Sequence, residues 1–141
     1  MQEGFRQTRR ILIVEDEAAI RSLLSAAFAC AGYEVRTVAS ALQAMALCVS
    51  ESFDVMLSDV VMPMMDGHDL VRWVARNYPT IRCVLMTGLD VDCQHCPFVA
   101  RCKVLPKPFR PKDALSLIEQ VLKEPLNRIG PSGAGGCAGR N

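Results

Sequence analysis

The sequence predicts an α/β fold, a single doubly wound domain with a five-stranded parallel sheet and helices on both faces. Two observations predict it. Short apolar runs recur along the chain, and the first of them, residues 11–14, is rich in β-branched residues as in a strand buried on both faces. Segments with helical periodicity separate these runs, and alternating strands and helices form a parallel sheet through right-handed crossovers.

Five segments are predicted as strands. Residues 11–14 are a continuous apolar run, and residues 34–38 alternate between apolar and polar side chains like a less buried strand. Residues 53–58 and 81–86 each contain an apolar run, and residues 104–106 are a short fifth segment. These segments supply the predicted sheet.

The segments between the strands carry helix signals. Ser40 and Gln43 have the spacing of a capping box, which begins a second helix that runs to about residue 50. A third helix ends before Pro79, and Pro111 lies in the first turn of the last helix, where its missing N–H loses no hydrogen bond. The first helix has apolar residues at i, i+3, i+4, i+7 and i+8, a stripe that is expected to be buried against the sheet, namely Ile20, Leu23, Leu24, Ala27 and Phe28.

Composition and charge narrow the functional classes. The chain has 141 residues and a formal net charge of +1, which argues neither for nucleic-acid binding nor for a membrane surface. No apolar run approaches the about 20 residues of a spanning helix, and the polar first ten residues lack the apolar centre of a signal peptide. We therefore expect a cytoplasmic protein without membrane insertion.

The domain boundaries follow from composition. Residues 1–9 are expected to form an N-terminal tail and residues 10–124 the folded domain. Residues 125–141 contain five glycines and two prolines among seventeen positions, which predicts a flexible tail or linker stub. No segment resembles a second, output domain.

Polar residues follow four of the predicted strands where each strand ends. They are an acid pair, Glu15 and Asp16, then Asp59, Thr87 and Lys107. Ligands of open α/β folds bind in the crevice outside these strand ends. Clustered carboxylates repel one another unless a cation lies among them, and Mg²⁺ prefers oxygen ligands. An aspartate is also an established nucleophile that forms an acyl phosphate, so the pattern predicts handling of a phosphoryl group.

Four segments, ILIVEDE, LSDVVMPMMDG, VLMTG and LPKPF, carry a family resemblance. Together they resemble the signature of the response-regulator receiver domain of two-component signalling, over roughly residues 10–123. The resemblance implies a flavodoxin-like order of five parallel strands. It also implies a cis peptide between Lys107 and Pro108.

The resemblance assigns roles to the strand-end residues. It implies that Asp59 is the phosphoacceptor, charged from a phosphohistidine on a sensor histidine kinase or histidine phosphotransfer protein. Asp16 and Asp59 would bind Mg²⁺ directly, with the backbone carbonyl of Val61 as a third ligand and Glu15 acting through water. Thr87 would be the switch hydroxyl, and Lys107 would pair with the phosphoryl group. The switch would then control an unknown downstream partner.

Three positions depart from the family pattern. Val104 replaces the usual aromatic switch residue, so coupling by rotation of an aromatic ring cannot operate in its usual form. Val61 replaces the polar residue that many relatives carry near the attacking water, and we hypothesise that this slows autodephosphorylation. Pro97 lies where the fourth helix is expected, and we predict that this helix is short, displaced or absent.

Other functions remain open at this stage. Cys93, His95, Cys96 and Cys102 include a C-x-x-C spacing used in zinc and redox sites, although reduced thiols in an irregular loop give the same pattern. A non-phosphorylated metal- or redox-sensing module is therefore one alternative. A receiver fragment of a hybrid histidine kinase is a second. A phosphohydrolase with an aspartate nucleophile is a third, although Val61 stands where its general acid belongs.

Overall fold

The computed structural model describes residues 8–62, 64–88 and 102–125 of the chain. Within these residues, five strands and four helices follow one another along the sequence. In chain order they are β1 (Arg10–Val14), α1 (Ala18–Cys30), β2 (Glu34–Val38), α2 (Ala41–Ser50), β3 (Val55–Asp59), α3 (Gly67–Asn77), β4 (Arg82–Thr87), β5 (Cys102–Pro106) and α4 (Pro111–Lys123).

The strands form one parallel sheet in the order β2-β1-β3-β4-β5. The chain adds β2 on one side of β1 and β3 on the other side, so the direction of winding reverses at β1. Ligands of open α/β sheets bind at such a reversal, outside the carboxyl ends of the strands. The predicted five-stranded parallel sheet is confirmed, and it places the candidate site beside β1 and β3.

Hydrophobic clusters cover both faces of the sheet. Ile11 and Ile13 of β1 belong to the cluster that contains buried side chains of α1 and α4. Leu12 and Val14 belong to the cluster that contains buried side chains of α2 and α3. This alternation follows from the two-residue period of a strand, and it confirms that helices pack on both faces.

The first helix buries a narrower stripe than its sequence predicts. Leu24 and Phe28 are fully buried, whereas the side chain of Leu23 is 55% exposed. Leu24 and Phe28 are four residues apart, so they lie on the same face of the helix, one turn from each other, and this face packs on the sheet. Leu23 precedes Leu24 by one position, about 100° around the helix. The prediction that Leu23 belongs to the buried face is therefore wrong.

The predicted helix starts of α2 and α4 are confirmed, with one difference in the hydrogen bonds of the α2 cap. Ser40 caps α2, and its Oγ accepts a hydrogen bond from the Gln43 backbone N–H at 3.2 Å. The Gln43 side chain accepts from the N–H of Ala39 at 2.9 Å, one residue earlier than in a capping box. Pro111 lies in the first turn of α4 as predicted, after the N-cap residue Arg110.

Strand boundaries shift by one or two residues from the prediction. The third strand begins at Val55 rather than at residue 53, although Phe53 is still buried. The fifth strand begins at Cys102 because that residue pairs with Cys83 of β4.

In the described residues, no helix is long and apolar enough to span a membrane.

Several sequence-based expectations lie outside the described residues. The shortened helix expected around Pro97 and the residues Cys93, His95 and Cys96 are among them. The same holds for most of the expected terminal tails.

Candidate functional site

Four parallel strands bring the predicted polar residues to one edge of the sheet. Asp59 and Thr87 are the last residues of β3 and β4, and both are buried. Glu15 directly follows β1 and is only 1% exposed, whereas its neighbour Asp16 is exposed. Lys107 follows β5. The strand ends therefore deliver three acids, a hydroxyl and an ammonium group to one region.

The three acids lie close enough to share a cation. One carboxylate oxygen from each of Glu15, Asp16 and Asp59 can be chosen so that the three atoms lie within 4.8 Å of one another. The buried oxygen Oε1 of Glu15 has no hydrogen-bond partner among the described residues. A buried carboxylate oxygen that has no hydrogen bond and lies beside two further carboxylates suits a hard divalent cation such as Mg²⁺.

Lys107 provides the positive charge of the site. Its Nζ donates a hydrogen bond to Oδ1 of Asp59 at 3.3 Å and lies 3.8 Å from Oε1 of Glu15. The backbone N–H of Lys107 donates to the carbonyl of Thr87 at 2.8 Å, which ties the end of β5 to β4. The peptide between Lys107 and Pro108 is cis, as the resemblance implies.

Burial dominates the electrostatics of Glu15. It raises the pKa of this carboxyl above its usual value, and the negative charge of Asp59 raises the pKa further. The backbone N–H of Glu17, which donates to Oε2 at 3.1 Å, and the charge of Lys107 lower the pKa. A cation among the carboxylates would favour the charged form of Glu15 and oppose the effect of burial.

Two backbone hydrogen bonds of Val60, the residue after Asp59, fix the chain where it leaves β3 and where it enters α3. The N–H of Val60 donates to the carbonyl of Met86 at 3.0 Å, and the N–H of Gly67 donates to the carbonyl of Val60 at 2.8 Å. Val61 follows Val60 directly, and its side chain is 58% exposed. The sequence patterns alone do not indicate this contact of Gly67.

Three further side chains lie outside the acid cluster. Val104 is half-buried on β5 and pairs with Leu85 of β4, where the family pattern has an aromatic residue. Trp73 packs against Tyr78, with ring centroids 5.6 Å apart. Cys48 is buried in α2, which raises its thiol pKa to about 11, so at neutral pH it acts as a small apolar group.

Comparison with known proteins gives a consistent result. Residues 11–119 match the family model described as the response regulator receiver domain. The chain is 33% identical over 118 residues to the sensor kinase CckA of Brucella abortus, which covers 81% of this chain. It is 32% identical over 124 residues to the DNA-binding transcriptional regulator NtrC of Salmonella typhimurium, which covers 86% of this chain.

Solved structures show the same fold. The chemotaxis response regulator CheY4 of Vibrio cholerae superposes with a TM-score of 0.75 at 32% identity, covering 82% of this chain and 99% of that chain. The receiver domain of the hybrid histidine kinase CckA superposes with a TM-score of 0.70 at 29% identity, covering 81% of this chain and 99% of that one.

The curated relatives are longer than this chain. The matched regions span 12% of CckA and 25% of NtrC. The resemblance therefore covers one domain of these proteins. With its parallel sheet, its strand-end acids and its match over residues 11–119, the chain belongs to the response regulator receiver domain family.

Proposed function

We propose that this chain is a phosphorelay receiver that accepts a phosphoryl group on Asp59 from a histidine kinase or a histidine phosphotransfer protein. The observation that supports it most directly is the position of Asp59. Its carboxylate is buried at a strand end, 3.3 Å from the ammonium group of Lys107 and close to two further acids.

The transfer itself requires little covalent chemistry from the protein. A carboxylate oxygen of Asp59 forms a bond to phosphorus while the P–N bond of the donor phosphohistidine breaks, and the released imidazole takes up a proton. Positioning and charge neutralisation supply most of the catalysis in such transfers. Lys107 would pair with the incoming phosphoryl oxygens, and Thr87 would donate a hydrogen bond to one of them.

The acid cluster is the proposed Mg²⁺ site. Asp16 and Asp59 would bind the ion directly, with the backbone carbonyl of Val61, while Glu15 would act through water. When bound, the ion neutralises charge on the phosphoryl oxygens. Glu15 and Asp16 adjoin β1, and Asp59 ends β3, so the site spans the two strands at the winding reversal.

The chain is then a signalling switch that catalyses only its own phosphorylation and dephosphorylation. Residues 10–124 would form the receiver, acting in the cytoplasm on a downstream partner that is not nucleic acid. Among its relatives are a sensor kinase and a transcriptional regulator, so the receiver functions either alone or as part of a longer protein such as a hybrid kinase.

The proposal is tested by intact mass after incubation with acetyl phosphate, with and without Mg²⁺. We expect a gain of one phosphoryl group that requires Mg²⁺ and is lost in Asp59→Asn. Asp54→Asn is the matched control, because Asp54 precedes β3 at the opposite end of the same strand. A folded protein that gains no phosphoryl group under any condition would contradict the proposal.

A further inference from the structure

The first turn of α3 rests directly on the backbone of the phosphoacceptor strand. Gly67 is the first residue of α3 and is buried. A Cβ atom at this position would lie 2.5 Å from the carbonyl oxygen of Asp59 and 2.9 Å from Cα of Val60. It would also lie 2.9 Å from Cδ2 of Leu85. Any side chain other than hydrogen would therefore collide with Asp59 and Val60.

Two of these three contacts involve backbone atoms, which cannot move aside as the end of a flexible side chain can. Asp59 and Val60 are themselves fixed, because Asp59 pairs with Met86 of β4 and the N–H of Val60 donates to the Met86 carbonyl. A Cβ at Gly67 would have to be accommodated by moving α3 or by tilting the end of β3. Either movement would displace the backbone of Asp59 or of the helix turn that packs on it.

We propose that Gly67 is a positioning residue for phosphoryl transfer, an inference that rests on the proposed function of Asp59. The absence of a side chain lets the N–H of Gly67 reach the Val60 carbonyl at 2.8 Å. This contact fixes the peptide between Val60 and Val61, while the pairing with Met86 fixes the backbone on the Asp59 side. It thereby sets the direction of the Asp59 carboxylate and the position of the adjacent Val61 carbonyl.

The N-cap of α3 supports the same contact. The side chain of Asp66 accepts a hydrogen bond from the N–H of Asp69 at 2.9 Å, which closes the first turn around Gly67. Loss of this cap would loosen the first turn without placing any new atom against Asp59. Asparagine caps helices as well as aspartate does, so Asp66→Asn removes the negative charge and keeps the capping hydrogen bond.

The first test compares Gly67→Ala with Gly88→Ala in the full chain. A Cβ at Gly88 would meet Cβ of Lys107 at 3.7 Å, an ordinary contact, so this glycine at the same sheet edge is a matched control. We expect Gly67→Ala to slow phosphorylation by acetyl phosphate about tenfold or more per folded molecule, since small misplacements of reacting groups are costly. The half-saturating Mg²⁺ concentration should also rise, whereas Gly88→Ala should match the wild type.

The second test covers the case in which Gly67→Ala does not fold. Asp66→Ala should slow phosphorylation per folded molecule and raise the half-saturating Mg²⁺ concentration, and Asp66→Asn should stay near the wild type. A purely structural role would lower the unfolding midpoint without changing either quantity per folded molecule.

The outcomes separate this inference from the proposed function. If folded Gly67→Ala shows unchanged phosphorylation rates and Mg²⁺ dependence, the role of Gly67 is overturned but the proposed function is not. If Gly67→Ala does not fold, the same result in Asp66→Ala has the same meaning. A wild-type chain that takes up no phosphoryl group overturns the proposed function and this inference with it.

Discussion

The ammonium group of Lys107 lies 3.3 Å from Oδ1 of Asp59 and 3.8 Å from Oε1 of Glu15. One cation thus contacts two buried carboxylates that lie at the ends of different strands. The contact with Asp59 is longer than a strong charged hydrogen bond, and the Lys107 side chain is partly exposed. Under the proposed function, the lysine would transfer its contact from the carboxylate to an arriving phosphoryl oxygen.

Replacement of Lys107 by alanine should separate phosphorylation from metal binding. We expect phosphorylation of Lys107→Ala by acetyl phosphate to slow by about tenfold or more, because a charge-stabilising donor is lost. Mg²⁺ should bind more tightly, because a positive charge no longer competes for the acids. Intact mass and a Mg²⁺ titration followed by amide chemical shifts measure the two effects.

Lys103→Ala is the control for this change, since Lys103 lies on β5 and its ammonium group is 3.9 Å from Glu124 rather than near the acids. Weaker Mg²⁺ binding in Lys107→Ala would contradict the competition between the two cations.

Val61 offers a test of phosphoryl lifetime. Its exposed apolar side chain lies two residues after Asp59, so it offers no hydrogen bond to an attacking water. Val61→Asn should therefore lose its phosphoryl group several-fold faster than the wild type. The decay of the phosphorylated mass after removal of acetyl phosphate measures this rate.

Met64→Asn is the matched control, because Met64 is a 91% exposed apolar residue of the same loop. The hypothesis fails if the two asparagine variants decay at the same rate.

Two neighbouring leucines of α1 should differ sharply in their contribution to stability. Leu24 is fully buried against the sheet, and its replacement by alanine should lower the free energy of unfolding by about 2–5 kcal/mol. Leu23 is mostly exposed, so Leu23→Ala should change it by less than about 0.5 kcal/mol. Urea denaturation of both variants measures the difference, and equal losses would refute the burial of α1 described above.

Glu51 should make the free energy of unfolding fall at acidic pH. Its carboxylate accepts hydrogen bonds from Arg10 at 2.7 Å and Arg36 at 2.8 Å, and these interactions, with Arg10 foremost, lower its pKa from the usual 4.5. The folded state then binds fewer protons than the unfolded state below about that pH. The contribution is therefore complete above pH 4.5 and is lost as the pH falls through the folded-state pKa.

Thermal unfolding of Glu51→Gln across acidic pH measures this contribution. We expect the variant to lose less stability than the wild type as the pH falls below 4.5. Glu119→Gln, at an exposed position of α4, should follow the wild-type profile. Parallel profiles for the wild type and Glu51→Gln would show that the arginine contacts do not act on folding.

Most of the fold and the site were predictable from local patterns. Apolar runs mark the strands, and a parallel sheet places their carboxyl ends at one edge, which is why Asp59, Thr87 and Lys107 could be expected together. These inferences need only periodicity and topology. The resemblance of four motifs then supplied the expected roles.

The misses share a different cause. Leu23 belongs to an apolar stripe by spacing, but the width of the buried face depends on how α1 lies against the sheet. Gly67 gains its importance from the carbonyl of Asp59, eight residues earlier in the chain and across a loop. Such close approaches are set by the packing of elements against one another, and a single sequence does not report them.

The division of the core into two clusters has a consequence for sequence change. Ile13 packs with α1 and α4, and Leu12, its neighbour in the chain, packs with α2 and α3. Substitutions that share no contact partners are usually additive in free energy. Each helical layer can therefore diversify while the other stays as it is. A receiver built this way can acquire a new binding surface on one side during evolution without refitting the interior of the other.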